Sequence, residues 1–364
     1  MKKHYEIVII GGGVMGASLC YHFSRAGHDV ILFEKNEICS LTSSSTAAMV
    51  LPSTKDTEDF ARLAWDSYAL YDGLEKELGF IELDRCGSMD LYFDEDGRKT
   101  LEKKAEIHTR LGHPMQMMTR EEALRIEPAF QFTDALGGAY CPEGGQVNPF
   151  LLCNAYIKGA RRFGAEVLTF TEVTDLEKEG DRIVKIRTSA GDVEDPALVL
   201  CCAGQYCIDF ANAFEIPPHI WLNRGYNLIS EKLPRIMKSI TAWTQQTPPG
   251  NLLIGAIHDP VREEEPYDRQ MEEYGLMLSA RKFLHDFPGL KDVGIIRSYT
   301  GIRIMTDDGY PIIGPNGRVE NFWIQAGHSS FLLNPILSEY TLGLYEGTLR
   351  PEDIPLVAHM RFFQ

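Results

Sequence analysis

The sequence predicts a Rossmann-like α/β nucleotide-binding domain and a second, α+β domain built on an antiparallel sheet. A β-branched run at 7–10 leads into a glycine turn and a helical run, and an apolar run at 197–204 ends in another glycine turn. This pattern is typical of parallel strands whose carboxyl ends face a bound nucleotide. After residue 216 the pattern changes to longer strands, at 225–230 and 251–257, with one helix, which favours a second domain of α+β character.

The first glycine turn has the spacing of a pyrophosphate-binding motif. Gly11, Gly13 and Gly16 fill the glycine positions of G-x-G-x-x-G, which allow a tight turn, close approach of a phosphate, and packing of helix on strand. The following helix offers unpaired N–H groups and the positive end of its dipole. Glu34 ends the next strand, where a carboxylate accepts hydrogen bonds from ribose hydroxyls and repels a 2′-phosphate. The motif alone leaves open NAD, FAD and a βαβ unit that binds no nucleotide.

Length and composition favour a globular protein of two domains. The chain has 364 residues, 24% of them charged, and a formal net charge of −16. This charge argues against a nucleic-acid partner, which needs a basic face, and no apolar run reaches the ~18 residues of a membrane span. We expect discontinuous domains, with the nucleotide-binding domain at 1–80, 145–215 and 305–364 and the second, substrate domain at 81–144 and 216–304.

The eight cysteines favour a cytoplasmic location. None of them forms a C-x-x-C pair, so the sequence predicts no zinc or iron–sulfur site and no bound metal. Several lie in apolar strand or helix contexts, which is typical of reduced thiols.

Local patterns predict further elements. Apolar residues at helical spacing predict a helix over 57–78, and Thr119 with Glu122 forms a capping box that starts another helix. The remaining expectations are a loop at 40–49 against the cofactor, strands within 80–93, a β-meander with strands at 172–177, 182–188 and 193–200, helices at 150–163 and 274–287, and a last long helix.

Several motifs along the chain form one set: the glycine turn with Glu34, the serine and alanine run at 43–48, GGQVNP at 144–149, CAG at 202–204, GNLLIG at 250–255, GIRIMTDDGYPIIG at 301–314 and AGHS at 326–329. This set resembles that of the flavin-dependent amine oxidoreductases of the D-amino acid oxidase superfamily, in the glycine oxidase and sarcosine oxidase β-subunit branch. The resemblance covers nearly the whole chain and is more specific for the family than for its substrate. It implies a glutathione-reductase-type FAD-binding domain.

The resemblance also implies which residues hold FAD. The adenosine end would be held by Gly11, Gly13, Val14, Met15, Gly16, Glu34 and Lys35. The ribityl chain and ring would lie along Ser43, Ser44, Ser45, Thr46, Ala47 and Ala48. Val173 would meet the adenine through its backbone, with Ala203 and Gly204 towards the pyrophosphate and Gly327, His328 and Ser329 near the pyrimidine edge of the flavin. His328 is alternatively a packed histidine at a strand end.

Arg303 is the residue that the resemblance assigns to both the substrate and the flavin surroundings. In family members that oxidise amino acids, the arginine of this motif pairs with the substrate carboxylate, which suits its two-pronged donor geometry. A structural salt bridge is the alternative. Arg303 replaces the flavin-linking cysteine of monomeric sarcosine oxidases, which implies non-covalent FAD. Further candidates for the pocket are Tyr226, His258 and Tyr299, whereas Arg224 is expected to be structural.

The implied activity is oxidation of the C–N bond of glycine, sarcosine, proline, an opine or a similar compound. Hydride passes from the α-carbon to the flavin, and the resulting imine is hydrolysed by water. The segment at 255–259 lacks the oxygen-activating lysine of monomeric sarcosine oxidases, so oxygen, a quinone and a partner subunit stay open as electron acceptors. The competing hypotheses are a β-type subunit of a multi-subunit dehydrogenase, a non-catalytic flavoprotein subunit and an NAD-dependent dehydrogenase. Homo- and hetero-oligomers are both open.

Overall fold

The structure is a computed structural model that describes residues 1–131, 134–262 and 264–363. Residues 132, 133, 263 and 364, which fall inside the predicted domain ranges, lie outside this description. No helix in the described ranges is long and apolar enough to cross a membrane.

α-Helices and strands largely alternate over residues 7–162, and strands predominate over residues 166–324. The helices are α1 (Val14–Arg25), α2 (Glu58–Leu78), α3 (Glu95–Arg110), α4 (Arg120–Ile126), α5 (Pro149–Arg162), α6 (Cys207–Ala213), α7 (Glu273–Asp286) and α8 (Ser330–Glu346). The strands are β1 (Ile7–Ile10), β2 (Val30–Phe33), β3 (Met49–Val50), β4 (Ser88–Tyr92), β5 (Gln116–Thr119), β6 (Gly137–Cys141), β7 (Gly145–Gln146), β8 (Glu166–Leu168), β9 (Val173–Glu179), β10 (Arg182–Thr188), β11 (Gly191–Glu194), β12 (Leu198–Cys201), β13 (Ile220–Lys232), β14 (Ile240–Thr241), β15 (Thr244–Gln246), β16 (Asn251–Pro260), β17 (Ile295–Thr306) and β18 (Phe322–Ile324).

Two large sheets organise these elements. One is parallel, with its strands in the order β18–β12–β1–β2–β8. The other has the order β17–β13–β16–β15–β14–β4–β6–β5 and is antiparallel except between β14 and β4. This architecture confirms the predicted fold class, a Rossmann-like α/β domain with an antiparallel-sheet α+β domain. The division into domains stays a prediction, and β17 continues to Thr306, two residues past the predicted boundary at 304.

The central strand β1 is buried on both faces, which explains its uninterrupted apolar sequence. Ile7 and Ile9 pack into the cluster that contains α1, α5 and α8. Val8 and Ile10 face the opposite cluster, to which the three-stranded sheet of β9, β10 and β11 contributes Ile183. Both faces of the parallel sheet are therefore covered, and a ligand can reach the sheet at the carboxyl ends of its strands.

Local signals explain where the predicted helices begin and end. α4 starts with the predicted capping box, in which the Thr119 hydroxyl accepts from the Glu122 N–H and the Glu122 carboxylate accepts from the Thr119 N–H. α5 starts after Asn148, whose side-chain oxygen accepts from the backbone N–H groups of Phe150 and Leu151. α2 ends at Gly79 with a φ of +86°, a conformation that glycine adopts without strain.

Two strand predictions differ from the structure. The predicted strand at 193–200 is divided, because β11 ends at Glu194 and β12 begins at Leu198 in another sheet. Asp195 has a φ of +50° between them, and Pro196 follows, so the chain turns from the edge of one sheet into the centre of the next. Within 80–93 the chain forms β4 alone, since Asp84 pairs its backbone instead with Gln146.

Asn321 joins the three-stranded sheet to the parallel sheet. Its side-chain amide donates to the carbonyl oxygens of Ile183 at 3.0 Å and Pro196 at 2.9 Å, and its side-chain oxygen accepts from the Ile183 N–H at 2.8 Å. Asn321 is 2% exposed, so water does not reach these backbone groups to take the place of its side chain.

We expect Asn321→Ala to lower the free energy of unfolding by about 2–4 kcal/mol, because it leaves three buried backbone groups without a partner. Urea denaturation followed by circular dichroism measures this change. Asn212→Ala, at an exposed position of α6, is the matched control and should stay within about 0.5 kcal/mol. Equal effects of the two substitutions would contradict the assigned role of Asn321.

Candidate cofactor and substrate site

A cavity of about 810 Å³ lies between the two large sheets. Its first end is formed by the carboxyl ends of the parallel strands, with the glycine turn, Glu34 and Val173. Its other end lies under the large antiparallel sheet, with His258 and Arg303. The volume falls in the usual range of ligand pockets, and the location is the one at which doubly wound sheets bind nucleotides.

The three glycines of the turn have different physical reasons to be glycine. A Cβ at Gly11, whose φ is +104°, would lie 2.5 Å from the carbonyl oxygen of Cys202, and a Cβ at Gly16 would lie 1.9 Å from that of Gly11. These two glycines serve the backbone. Gly13 has an ordinary φ of −70°, and its Cβ would closely meet only the Ser43 hydroxyl, at 3.0 Å. Since Gly13 lines the cavity at the start of α1, close approach of a ligand explains the glycine.

Glu34 and Lys35 line the same end of the cavity. The Glu34 carboxylate accepts the backbone N–H groups of Gly12 and Asn36, each at 2.7 Å. A carboxylate has further lone pairs, so it can also accept from ribose hydroxyls. The Lys35 ammonium lies 3.6 Å from the centre of the Tyr206 ring, a cation–π contact that fixes it at this end of the cavity.

The serine and alanine run forms a loop held by hydrogen bonds at both sides. The Ser43 hydroxyl accepts from the Val14 N–H at 3.1 Å, and the Ala47 carbonyl accepts from the Gln245 side chain at 2.8 Å. The Ser44 hydroxyl donates to the Leu41 carbonyl. The members of the run that line the cavity are Ser43, Ser45, Thr46, Ala47 and Ala48.

A chain of hydrogen bonds crosses the substrate end of the cavity. Arg303 donates through Nη1 to the Asn223 side-chain oxygen at 3.2 Å and through Nη2 to His328 Nε2 at 2.9 Å. Because a guanidinium cannot accept a hydrogen bond, His328 Nε2 is the acceptor and the imidazole proton lies on Nδ1. Nδ1 then donates to the Ser329 hydroxyl at 3.1 Å, and Lys55 Nζ donates to the same oxygen at 2.6 Å.

The surroundings of His328 hold it neutral. The ring is exposed on the cavity wall, and partial removal from bulk water by the surrounding protein, together with the positive charges of Arg303 and Lys55, lowers its pKa to about 3. Its ordinary value is 6.5. His328 therefore serves as a neutral acceptor that orients the guanidinium throughout the physiological pH range.

Arg303 lines the cavity without an ion-pair partner. No carboxylate of the described residues lies within ion-pair distance of its guanidinium, which the Asn223 amide and the His328 ring contact instead. Burial lowers the pKa of Arg303, although an arginine stays protonated in proteins. A partly buried cation of this kind is suited to bind an anionic ligand.

The other candidates for the pocket lie in different places. His258 lines the cavity. Tyr226 is 1% exposed, and its hydroxyl donates to Asp259 at 2.8 Å. It lies on the face of β13 that points away from the cavity, because successive side chains of a strand alternate and its neighbours Gly225 and Asn227 line the cavity. Tyr299 approaches the loop itself, with its hydroxyl 3.5 Å from the Thr46 carbonyl oxygen. Of the other predicted site residues, Gly16 and Ser44 do not line the cavity.

Arg224 lies beside Tyr226 and is structural. It is 2% exposed, and its guanidinium lies 2.9 Å from a Glu272 carboxylate oxygen and 3.5 Å from one of Asp259. A buried cation needs such partners.

The residues of the cavity wall that sequence reasoning missed include Lys55, Asn227 and Trp243. Lys55 follows a short helical turn at Pro52–Thr54. Its position shortly after the cofactor loop at 40–49 was the available sign that it lines the cavity. Trp243 and Ala242 form the turn between β14 and β15, with φ values of +63° and +47°, which a pattern of residue types does not reveal. No group of three or more His, Cys, Asp or Glu residues in the described part of the chain could hold a metal ion.

Comparison with known proteins identifies the class. Residues 6–340 match the DAO family, described as FAD dependent oxidoreductase, and the chain belongs to this family. The protein is thus an FAD-dependent oxidoreductase, and the predictions of family and cofactor are confirmed. FAD suits the cavity because the first end has a phosphate cradle at Gly13 and a carboxylate for the ribose at Glu34.

Individual relatives resemble the chain over nearly its full length. Glycine oxidase of Bacillus subtilis (strain 168) is 26% identical, over 92% of this chain and 91% of the relative. Hydrogen cyanide synthase subunit HcnC of Pseudomonas aeruginosa is 27% identical, over 98% and 95%. The crystal structure of L-proline dehydrogenase from P. horikoshii has the same fold, with a TM-score of 0.90, 24% identity and coverage of 100% and 99%.

We expect Gly13→Val to weaken FAD binding by at least about tenfold, since the new side chain displaces the pyrophosphate from the N–H groups of α1. The FAD content of the purified protein, read from its visible absorbance, and titration of the apoprotein measure this effect. Gly73→Val is the control, because a Cβ at this position of α2 meets nothing within 4 Å. Full FAD content in the Gly13 variant would contradict the placement of the pyrophosphate.

Proposed function

We propose that the protein oxidises the C–N bond of an amino acid or N-substituted amino acid, such as glycine, sarcosine, proline or an opine-like compound. The observation that carries this proposal is Arg303, a cation without a carboxylate partner on the wall of the FAD cavity. A carboxylate is the natural ligand of such a fork. The names of the relatives, glycine oxidase and L-proline dehydrogenase, support the same substrate class.

In this proposal the protein supplies orientation and electrostatics. FAD, which Gly13 and Glu34 would help to hold without a covalent link, would supply the acceptor for the hydride from the substrate α-carbon, and water would hydrolyse the imine product. Arg303 holds the substrate carboxylate, while Asn223 and neutral His328 fix the direction of the guanidinium. A fixed carboxylate leaves the α-carbon one position, and this positioning lowers the entropic part of the barrier.

The wall around Arg303 leaves room for a small substrate. Gly225 and Gly255 lie on neighbouring strands and line the cavity, together with His258. A Cβ at Gly225 would come within 3.2 Å of the His258 ring, so glycine there lets the imidazole lie against the sheet. His258 is thereby available as a pocket wall, and Tyr299 braces the cofactor loop from β17.

The electron acceptor can be oxygen, a quinone or a partner subunit. The resemblance to a protein that is itself named a subunit, over 98% of this chain, favours a second candidate function, a β-type flavin subunit of a multi-subunit amino acid dehydrogenase. The segment at 255–259 contains no lysine, which also favours a dehydrogenase. A homo- or hetero-oligomer and a cytoplasmic location stay predictions.

An anaerobic visible spectrum tests the function directly. We expect amino acids, N-methyl amino acids or N-carboxyalkyl amino acids, added one at a time, to bleach the oxidised flavin band. Admission of air then separates the two candidates, because an oxidase recovers its band quickly and a dehydrogenase slowly. A flavin band that none of these amines bleaches would support a non-catalytic flavoprotein and contradict the proposal.

We expect Arg303→Met to raise the dissociation constant of the reducing substrate by at least about 30-fold, because the carboxylate loses its charged partner. Stopped-flow measurement of flavin reduction at several substrate concentrations gives this constant. Arg297→Met is the control on the same strand, where the arginine is exposed. A dissociation constant that is equally changed in both variants would contradict the role of Arg303.

A further inference from the structure

Lys55 is a second cation on the wall of the same cavity. The residue is 8% exposed, its ammonium donates to Ser329 at 2.6 Å and lies 4.8 Å from the centre of the Phe60 ring. Burial lowers its pKa to about 8. No carboxylate of the described residues lies within ion-pair distance, and its neighbour Asp56 is exposed and lines a different cavity.

The acidic residues of the cavity lie at the opposite end. Those among the described lining residues are Glu34, which follows β2, Glu172, which precedes β9, Asp175 of β9 and Asp209 of α6. The described residues that line the end with Lys55 and Arg303 include no aspartate or glutamate. Two cations removed from water without an anion are unfavourable, and a ligand with negative charge on both would relieve this.

The two cations are held at a set separation. Ser329 and His328 connect them through three hydrogen bonds and one imidazole ring. The Lys55 ammonium has three N–H groups, and one of them donates to the Ser329 hydroxyl. Two N–H groups therefore remain for a ligand. Contact with Phe60 restricts the lysine side chain further. A dicarboxylate that contacts both cations would meet side chains that are already ordered, which reduces the entropy that binding must overcome.

We propose that Lys55 binds a second acidic group of the substrate, and that the preferred substrates are amino acids with two carboxylates. One carboxylate pairs with Arg303 and the other with Lys55. The class includes acidic amino acids and N-carboxyalkyl amino acids. This inference rests on the function proposed above and narrows its substrate class.

Matched substrates test the inference. L-Glutamate and L-glutamine have the same shape and differ in one charge, and iminodiacetate differs from sarcosine by one carboxylate. At least one of these pairs should reduce the flavin. Within that pair, at low substrate concentration, we expect the dicarboxylate to reduce the flavin of the wild-type protein at least about tenfold faster than its monocarboxylate partner. Lys55→Met should weaken binding of that dicarboxylate by about 10- to 100-fold and leave its monocarboxylate partner within about threefold, since one charge-assisted hydrogen bond is lost.

Two further variants serve as controls. Lys55→Arg keeps the charge and should retain most of the preference for dicarboxylates. Lys76→Met removes an exposed lysine from α2 and should change neither substrate.

Binding without reaction separates the inference from the proposed function. Glutarate and butyrate, which have no amine, are titrated against the oxidised flavin band of the FAD-loaded protein. Stronger binding of glutarate that is lost in Lys55→Met supports the second anion site even if no amine reduces the flavin, a result that would sink the proposed function alone.

Several results would overturn the inference. Equal weakening of dicarboxylates and monocarboxylates by Lys55→Met would mean that both cations bind one carboxylate. A lower limiting rate of flavin reduction with unchanged binding of every substrate would assign Lys55 to proton transfer or to the charge of the reduced flavin. No effect of Lys55→Met on any ligand would leave the lysine with a packing role.

Discussion

The contact between β17 and the loop after β2 is the constraint on which the site depends. A Cβ at Gly301 would lie 2.6 Å from the carbonyl oxygen of Ser45, and the Thr42 hydroxyl donates to the Ile302 carbonyl at 2.8 Å. Glycine at 301 therefore permits the backbone of the antiparallel sheet to touch the cofactor loop. Because Gly301 and Arg303 lie on one face of the strand, the same contact brings the guanidinium to the cavity.

The cavity between the sheets is divided by charge. The end at the parallel strands has a carboxylate for the ribose and the positive end of α1 for phosphates. The end under the antiparallel sheet has Arg303 and Lys55, joined through the neutral ring of His328. This arrangement suits a nucleotide at the first end and an anionic substrate group at the second, with the uncharged reacting atoms of the two ligands between them. The net charge of −16 describes the whole chain and gives no indication of this local division.

Most residues predicted to contact the cofactor line the cavity, whereas Tyr226 and Tyr299, predicted for the substrate, do not. The glycine turn and the capping box of α4 depend on residues within a few positions of one another, so their geometry follows from local rules. On β13 the outcome depended on register. Asn227 lines the cavity and Tyr226 does not, and a shift of one residue exchanges the two faces of a strand. The residues around these two positions are mixed polar and apolar on both faces of the strand, so the pattern does not indicate which face is which.

The sequence by itself determined the nucleotide-binding unit, the family and the motif arginine, because each of these is written in contiguous residues. The tertiary structure alone decided the surroundings of that arginine. Lys55 and Ser329 are 274 positions apart and share a hydrogen bond, and Arg303 reaches His328 from another sheet. Such contacts are set by how the cofactor loop, β17 and α8 pack together, and packing between distant segments leaves no spacing in the chain that could be recognised beforehand.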